Sequence, residues 1–326
     1  MLVLSRSDVR ALLTVGDCIE AVEDAFRLHA NGASLGPGVL GVPAPGGGFH
    51  IKAAGLIGPQ ASFFAAKTNA NYPENPRQWG LPTIQGVVVL ADAVNGGPLA
   101  VVESGSLTAL RTGAATAVAA KHLARRGAGT VTIVGCGAQG LIQLEALAEV
   151  LPVARVRLVD VDVARAHALA THAEALGMRV DVASAVGPAA RDCDVLVTCT
   201  PSRHAFVRRD DVAPGTFIAA VGADSQGKQE LAVDLVAGAT LVVDVLDQCA
   251  EIGELQHALG AGIMTRAQVH AELAEVVNGT RPGRTRADEV TIFDSTGTAL
   301  EDVAAAMAVY RRARASGRGI DVKLDD

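Results

Sequence analysis

The chain predicts an α/β fold, a doubly wound parallel sheet together with a second, α+β domain. Three observations lead there. Apolar strand-like runs alternate with helical stretches through the middle third. The first of those runs ends in a glycine-rich turn that opens a helix. The first hundred residues have another texture, with short strand candidates and Gly/Pro punctuation.

Taken in order, Ser7–Ala30 reads as a helical start, and Gly36–Gly48 as a stretch broken by glycine and proline. Strand candidates follow at Phe49–Ala53, Phe63–Thr68, Thr83–Leu90 and Leu99–Val102. An alanine-rich helix, Leu107–Leu123, carries Arg111-Thr112-Gly113 near its start. The β-branched run Thr130–Val134 comes next, then a helix with apolar Leu141, Leu144, Leu147 and Val150. Val156–Val161, Asp194–Cys199, Thr216–Val221 and Leu241–Asp244 are buried-strand patterns, with a helix over Ala164–Leu176. Val290–Phe293 is a last strand, and Glu301–Ala315 a terminal helix. The expected domains are residues 1–112 with about 299–326, and residues 113–298.

At 326 residues, 49% of them hydrophobic, the chain can fill two cores. Its net charge of −7 and lack of a basic run argue against nucleic acid or an anionic membrane as partner. The scarcity of aromatic residues argues against a stacking groove for single strands. No apolar run reaches spanning length, and Arg6 and Asp8 come too early for a secretory signal. Five scattered cysteines without CxxC pairing read as reduced core residues of a cytoplasmic protein, with no metal site.

Gly135-Cys136-Gly137-Ala138-Gln139-Gly140 is a GxGxxG run in its proper setting, after a strand and opening a helix. Gly135 permits the tight turn, Gly137 lets backbone approach a pyrophosphate, and Gly140 lets helix and sheet pack closely. The helix start presents unpaired N–H groups and a positive dipole end to phosphate. Asp160 closes the next strand about twenty residues on, where it can accept from ribose hydroxyls and repel a 2′-phosphate. A Rossmann-type domain binding NAD, rather than NADP, is the reading.

Lys67 through Leu123, GCGAQG, VGADSQGKQEL and FDSTGTALED, in that order, resemble the ornithine cyclodeaminase/μ-crystallin family over about residues 45–310. The resemblance implies a Rossmann domain, a second domain that builds a homodimer interface and covers the substrate, and a C-terminal helix returning to that second domain. It also implies NAD-linked chemistry at the α-carbon of an amino acid or imino acid.

By this resemblance Asp224, in Val221-Gly222-Ala223-Asp224, is the acid/base beside the substrate nitrogen. Taken alone, Asp224 could instead cap a helix over Gln226–Leu231. Lys67 and Arg111 take the positions that hold the substrate carboxylate; otherwise, Lys67 snorkels to solvent and Arg111 forms a structural ion pair. Thr83, Arg111, Thr112, Val221, Thr200, Lys228 and Ser295 fall where similar proteins contact the cofactor, as do Ala138 and Gln139 of the glycine turn. Strand alternation puts His50 and Lys52 on one face, toward the substrate if Lys67 points there.

Two departures from the family pattern bear on the reaction. Ornithine cyclodeaminases carry a glutamate where His50 aligns, and there is none between Leu35 and Gln60. They also use an upstream arginine, absent from Leu35–Pro45, for which Lys52 is a substitute. Plain oxidoreduction, of the ketimine reductase or amino-acid dehydrogenase type, is therefore favoured over ornithine or lysine cyclodeamination. A μ-crystallin-like binding protein is the alternative of another class. It has no need of a proton-transfer group such as Asp224.

Overall fold

The computed structural model describes residues 1–59 and 61–324; Gln60 and residues 325 and 326 lie outside the described residues. The chain divides into two compact units, Met1–Arg111 with Thr298–Asp326, and Thr112–Gly297. The boundary falls inside one helix, Ser104–Leu123.

The described residues of the first unit form a seven-stranded sheet. In spatial order the strands are Ile320–Asp321, Leu2–Leu4, Pro98–Glu103, Ile84–Asp92, Ser62–Asn71, Gly47–Ile57 and Ser34–Ala44. All neighbours are antiparallel except Leu2–Leu4 with Pro98–Glu103. The glycine- and proline-broken stretch is thus largely a strand. It lies at the sheet edge, where Pro37 and Pro43 remove donors the ladder can spare. The N-terminal helix is two helices, Arg6–Leu12 and Val15–Ala30. Thr14 interrupts them because its side chain accepts from the backbone N–H of Asp17, closing a capping box.

Strand alternation separates the two faces of this sheet. Leu40, Val42, Phe49, Phe64, Val87 and Val89 share one face by register, and all are exposed. His50, Lys52, Lys67 and Asn69 share the other, against which the helix Ala299–Ser316 packs. That helix begins at Thr298, whose side chain accepts from Leu300 N–H while Glu301 reaches back to the Thr298 N–H.

The second unit is an eight-stranded parallel sheet among the described residues. Its order is Ala271–Glu272, Thr240–Val243, Thr291–Asp294, Phe217–Ala220, Val195–Thr198, Thr130–Val134, Arg155–Val159 and Arg179–Val182. Its central strands are fully buried, as continuous runs of Val, Ile, Leu and Ala require. Gln226–Leu231 is not a helix: a turn leads into the short strand Gln229–Leu231, which excludes the helix-cap role for Asp224. Among the described residues no helix is long and apolar enough to cross a membrane, and no cluster of metal-ligating side chains occurs.

Replacing the Thr298 cap tests the start of the C-terminal helix. Thr298→Ala is expected to lower the unfolding free energy by about 1 kcal/mol, read as a lower urea midpoint at unchanged slope.

Candidate active site

In the first unit the sheet register sets Lys52 directly opposite Lys67, and His50 opposite Asn69. Two ammonium groups side by side repel. The sequence answers with Glu301 and Asp302 in the first turn of the helix packed on that face. Lys67 Nζ donates to Asp302 Oδ1 at 2.8 Å and lies equally close to Oδ2. Arg111 places Nη1 2.8 Å from Glu301 Oε2 and Nε 3.1 Å from Asp302 Oδ1. Lys67 is 3% exposed, so it does not snorkel to water. Arg111 is buried in an ion pair of the kind the structural reading anticipated.

Burial, then the neighbouring Arg111, pushes Lys67 down to about 7, although Asp302 opposes the shift. Burial would raise Asp302, but Lys67 and Arg111 more than offset it and hold the carboxyl below its ordinary value. With Lys67 protonated, the five side chains Lys52, Lys67, Arg111, Glu301 and Asp302 carry an excess of one positive charge. Glu301 and Asp302 were not singled out in the sequence as site residues. Their signal was two adjacent acids directly before the apolar, alanine-rich run 303–309 of the helix.

In the second unit the glycine turn joins the strand Thr130–Val134 to the helix Ala138–Val150. Gly135 has φ +101°, and a Cβ there would stand 2.8 Å from Cys199 O. A Cβ on Gly140 would stand 2.3 Å from Gly135 O, whereas Gly137 faces open space. Gly137 caps the helix without a side-chain bond, so Ala138 and Gln139 begin a turn whose N–H groups can meet a phosphate. Asp160 accepts from Cys136 N–H at 2.7 Å and from Asp162 N–H at 2.8 Å, which fixes the carboxylate beside the glycine turn.

Thr200, Val221, Asp224, Lys228 and Ser295 follow the carboxyl ends of the central strands, whereas Thr83 and Thr112 lie elsewhere. Val221 donates its N–H to Thr198 O at 2.8 Å, and Ser295 N–H donates to Ala220 O at 2.9 Å. Ser295 Oγ and Gln139 Oε1 are buried without a hydrogen-bond partner among the described residues. An open glycine cradle with orphaned polar atoms on the same unit fits a dinucleotide. Asp224 is half-exposed, and Lys228 Nζ donates to its Oδ1 at 2.6 Å, so Lys228 orients the carboxylate. Thr200 donates N–H and Oγ1–H to Glu230 Oε1, each at 2.7 Å, and Gly222 N–H donates to Glu230 Oε2 at 2.9 Å. Burial pushes the Glu230 carboxyl up, against the hydrogen bonds from Thr200 and Gly222. Glu230 is a further residue that the sequence motif did not single out. Thr112 is buried in the Ser104–Leu123 helix, while Thr83 is in the first unit and accepts from Tyr72 N–H.

The family profile described as "Ornithine cyclodeaminase/mu-crystallin family" matches residues 1–317. The chain belongs to this family. It is 39% identical to an alanine dehydrogenase of Archaeoglobus fulgidus, over 99% of this chain and 98% of that one. Among solved structures it is similar to an archaeal alanine dehydrogenase dimer with bound NAD, at a TM-score of 0.95 and 38% identity, covering 99% of both chains. It is also similar to the Thermococcus litoralis Δ1-pyrroline-2-carboxylate reductase in complex with NADH and L-proline. There the TM-score is 0.94 at 33% identity, over 99% of this chain and all of that one.

Removing the counter-charge of the buried cluster should be severe. Asp302→Asn leaves Lys67 and Arg111 short of a carboxylate, and the expected loss is about 3–5 kcal/mol, measured by urea denaturation.

Proposed function

We propose that this protein reduces a small α-imino acid with NADH, and oxidises the corresponding amino acid in reverse, as an imine reductase of the alanine dehydrogenase type. It is an NAD-dependent enzyme of its family. The observation that carries the reading is the buried cluster of Lys52, Lys67 and Arg111 on Glu301 and Asp302, with His50 and Lys52 on the same sheet face. That face suits one carboxylate. It offers no acidic residue between positions 35 and 59 to receive a second ammonium, and Lys52 would repel one. Cyclodeamination of ornithine or lysine requires that second amine, so plain oxidoreduction is favoured.

In this assignment Lys67, Arg111 and Lys52 hold the substrate carboxylate, and His50 borders it. The glycine turn from Gly135 to Gly140 cradles the pyrophosphate, and Asp160 accepts from the adenosine ribose. Thr83, Thr112, Thr200, Val221 and Ser295 are further cofactor contacts. Bound NADH supplies a hydride to the α-carbon. Asp224 supplies the proton that makes the imine nitrogen cationic, and Lys228 keeps its carboxylate oriented. Its half-exposed position lets the proton be replaced from solvent. A homodimer through the exposed apolar sheet face of the first unit covers Leu40, Val42, Phe49, Phe64, Val87 and Val89. Five free cysteines suit a reducing, cytoplasmic setting.

The first test follows NADH consumption with pyruvate plus ammonia or methylamine, and with cyclic imino acids. Turnover tied to one imine is expected. Proline and ammonia formed from ornithine at constant NAD would overturn the preference for redox. Asp224→Asn is expected to lower kcat by about 10²- to 10⁴-fold with NADH affinity retained.

The pH dependence has a definite sign. Lys67 is an ammonium below about 7 and a neutral amine above it in the ligand-free protein. Carboxylate binding favours the ammonium, so kcat/KM for a cyclic imino acid should fall as pH rises through about 7. In the bound state the carboxylate restores a higher value, and kcat should stay level to higher pH. Lys67→Arg should remove the fall in kcat/KM.

A further inference from the structure

Glu230 lies on the short strand Gln229–Leu231, outside the parallel sheet, and is wholly buried. Its carboxylate nevertheless bridges two neighbouring strands of that sheet. Oε1 accepts from the N–H and the hydroxyl of Thr200, just past Val195–Thr198. Oε2 accepts from Gly222 N–H, just past Phe217–Ala220. The space is full: a Cβ on Gly222 would stand 2.5 Å from the Glu230 carboxyl and 2.4 Å from Thr200 O.

The bridge is itself held from behind. Glu254, also buried, accepts from the N–H groups of Glu230 and Leu231 at 2.7 and 3.2 Å. Asp294 in turn accepts from the N–H groups of Glu254 and Leu255 at 3.0 and 2.9 Å. At the far end of the loop, Gly227 N–H donates to Gln256 Oε1 at 2.9 Å, and His257 Nε2 lies 2.8 Å from Lys228 O. The loop from Gly222 to Lys228 is therefore tied at both ends, while Asp224 between them stays half-exposed.

We propose that Glu230 is a positioning residue, whose carboxylate sets the spacing between Thr200 and Gly222 and thereby the placement of Asp224 relative to the cofactor-facing strand end. The inference rests on the reading of Asp224 and Thr200 given above. It deepens that reading by explaining why position 222 must be glycine and why an acid is kept dry nearby. A carboxylate is required because every group aimed at it is a donor. An amide at 230 would present its own N–H to one of them.

The test is Glu230→Gln in the full-length protein, with three readouts. Amide exchange at Thr200 and Gly222 should speed up about tenfold or more while the amides of Val195–Thr198 keep their protection. NADH affinity should change less than about threefold, while kcat per NADH-binding site falls on the order of 10- to 100-fold. The deuterium isotope effect from NADH labelled at C4 should grow as hydride transfer becomes limiting. Unchanged exchange at Thr200 and Gly222, or a kcat per binding site within about twofold of wild type despite a lower Tm, overturns the proposal. Should Glu230→Gln fail to fold, Glu230→Asp decides: it keeps the charge but is one methylene too short to meet Thr200 and Gly222 together, so faster exchange at one or both of these amides is expected, and unchanged exchange at both overturns the role. If the wild-type protein reduces no imino acid, the activity reading falls by itself, and exchange with NADH affinity still decides Glu230.

Discussion

Lys67 is almost entirely out of water, and a bare ammonium in such a place costs several kcal/mol. Much of the first unit is arranged around answering it. Asp302 must reach Nζ, so the C-terminal helix must return and lay its first turn on the sheet. That requires a sharp helix start, which Thr298 and Glu301 provide through a reciprocal cap. Glu301 then meets Arg111, and Arg111 reaches Asp302 as well, so one acid is shared by two cations. The two segments of the first unit are joined by this need for counter-charge, through pairs such as Arg111–Glu301 and Lys67–Asp302 that are 190 and 235 residues apart in sequence.

The second unit solves the same problem in another way. Three of its buried carboxyl groups, Glu230, Glu254 and Asp294, have backbone N–H groups as principal partners rather than cations. Burial pushes Asp294 up to about 7 and raises Glu254 well above the usual range, with the Asp294 charge adding to the shift. Each acid ties down loops that leave the carboxyl edge of the sheet, where open α/β sheets place their ligands. Such loops carry unpaired donors that must be satisfied somewhere. Side chains satisfy several of them here and so restrain the edge, and hydride transfer depends closely on placement.

These two arrangements divide the chemistry. Cations with shared acids make the face on which the proposed carboxylate site rests. Acids bound to N–H groups tie Thr200 and both ends of the Asp224 loop to the sheet edge. Family membership sets the class of reaction, and the proposal of a single-carboxylate substrate rests on the cationic sheet face.

Much of this was legible in the residues. Strand–helix alternation and the glycine turn predict the parallel sheet, because periodicity and the steric needs of a phosphate turn are local properties. Motif order put forward Asp224, Lys67, Arg111 and the cofactor edge as candidates, and strand alternation put forward His50 and Lys52. The Ser34–Ala44 strand was obscured because proline and glycine discourage strands except at an edge, and being an edge is a matter of the whole sheet. The break at Thr14 was available in principle from its capping box with Asp17. Glu230, Glu301 and Asp302 could not be assigned from local sequence, since their partners are 8 to 235 residues away. The sequence by itself determined which elements form and where a dinucleotide can be cradled, since both depend on residues within a few turns of one another. Only the tertiary structure decided which charge answers which, because a buried ion pair is defined by what the fold brings within about 3 Å.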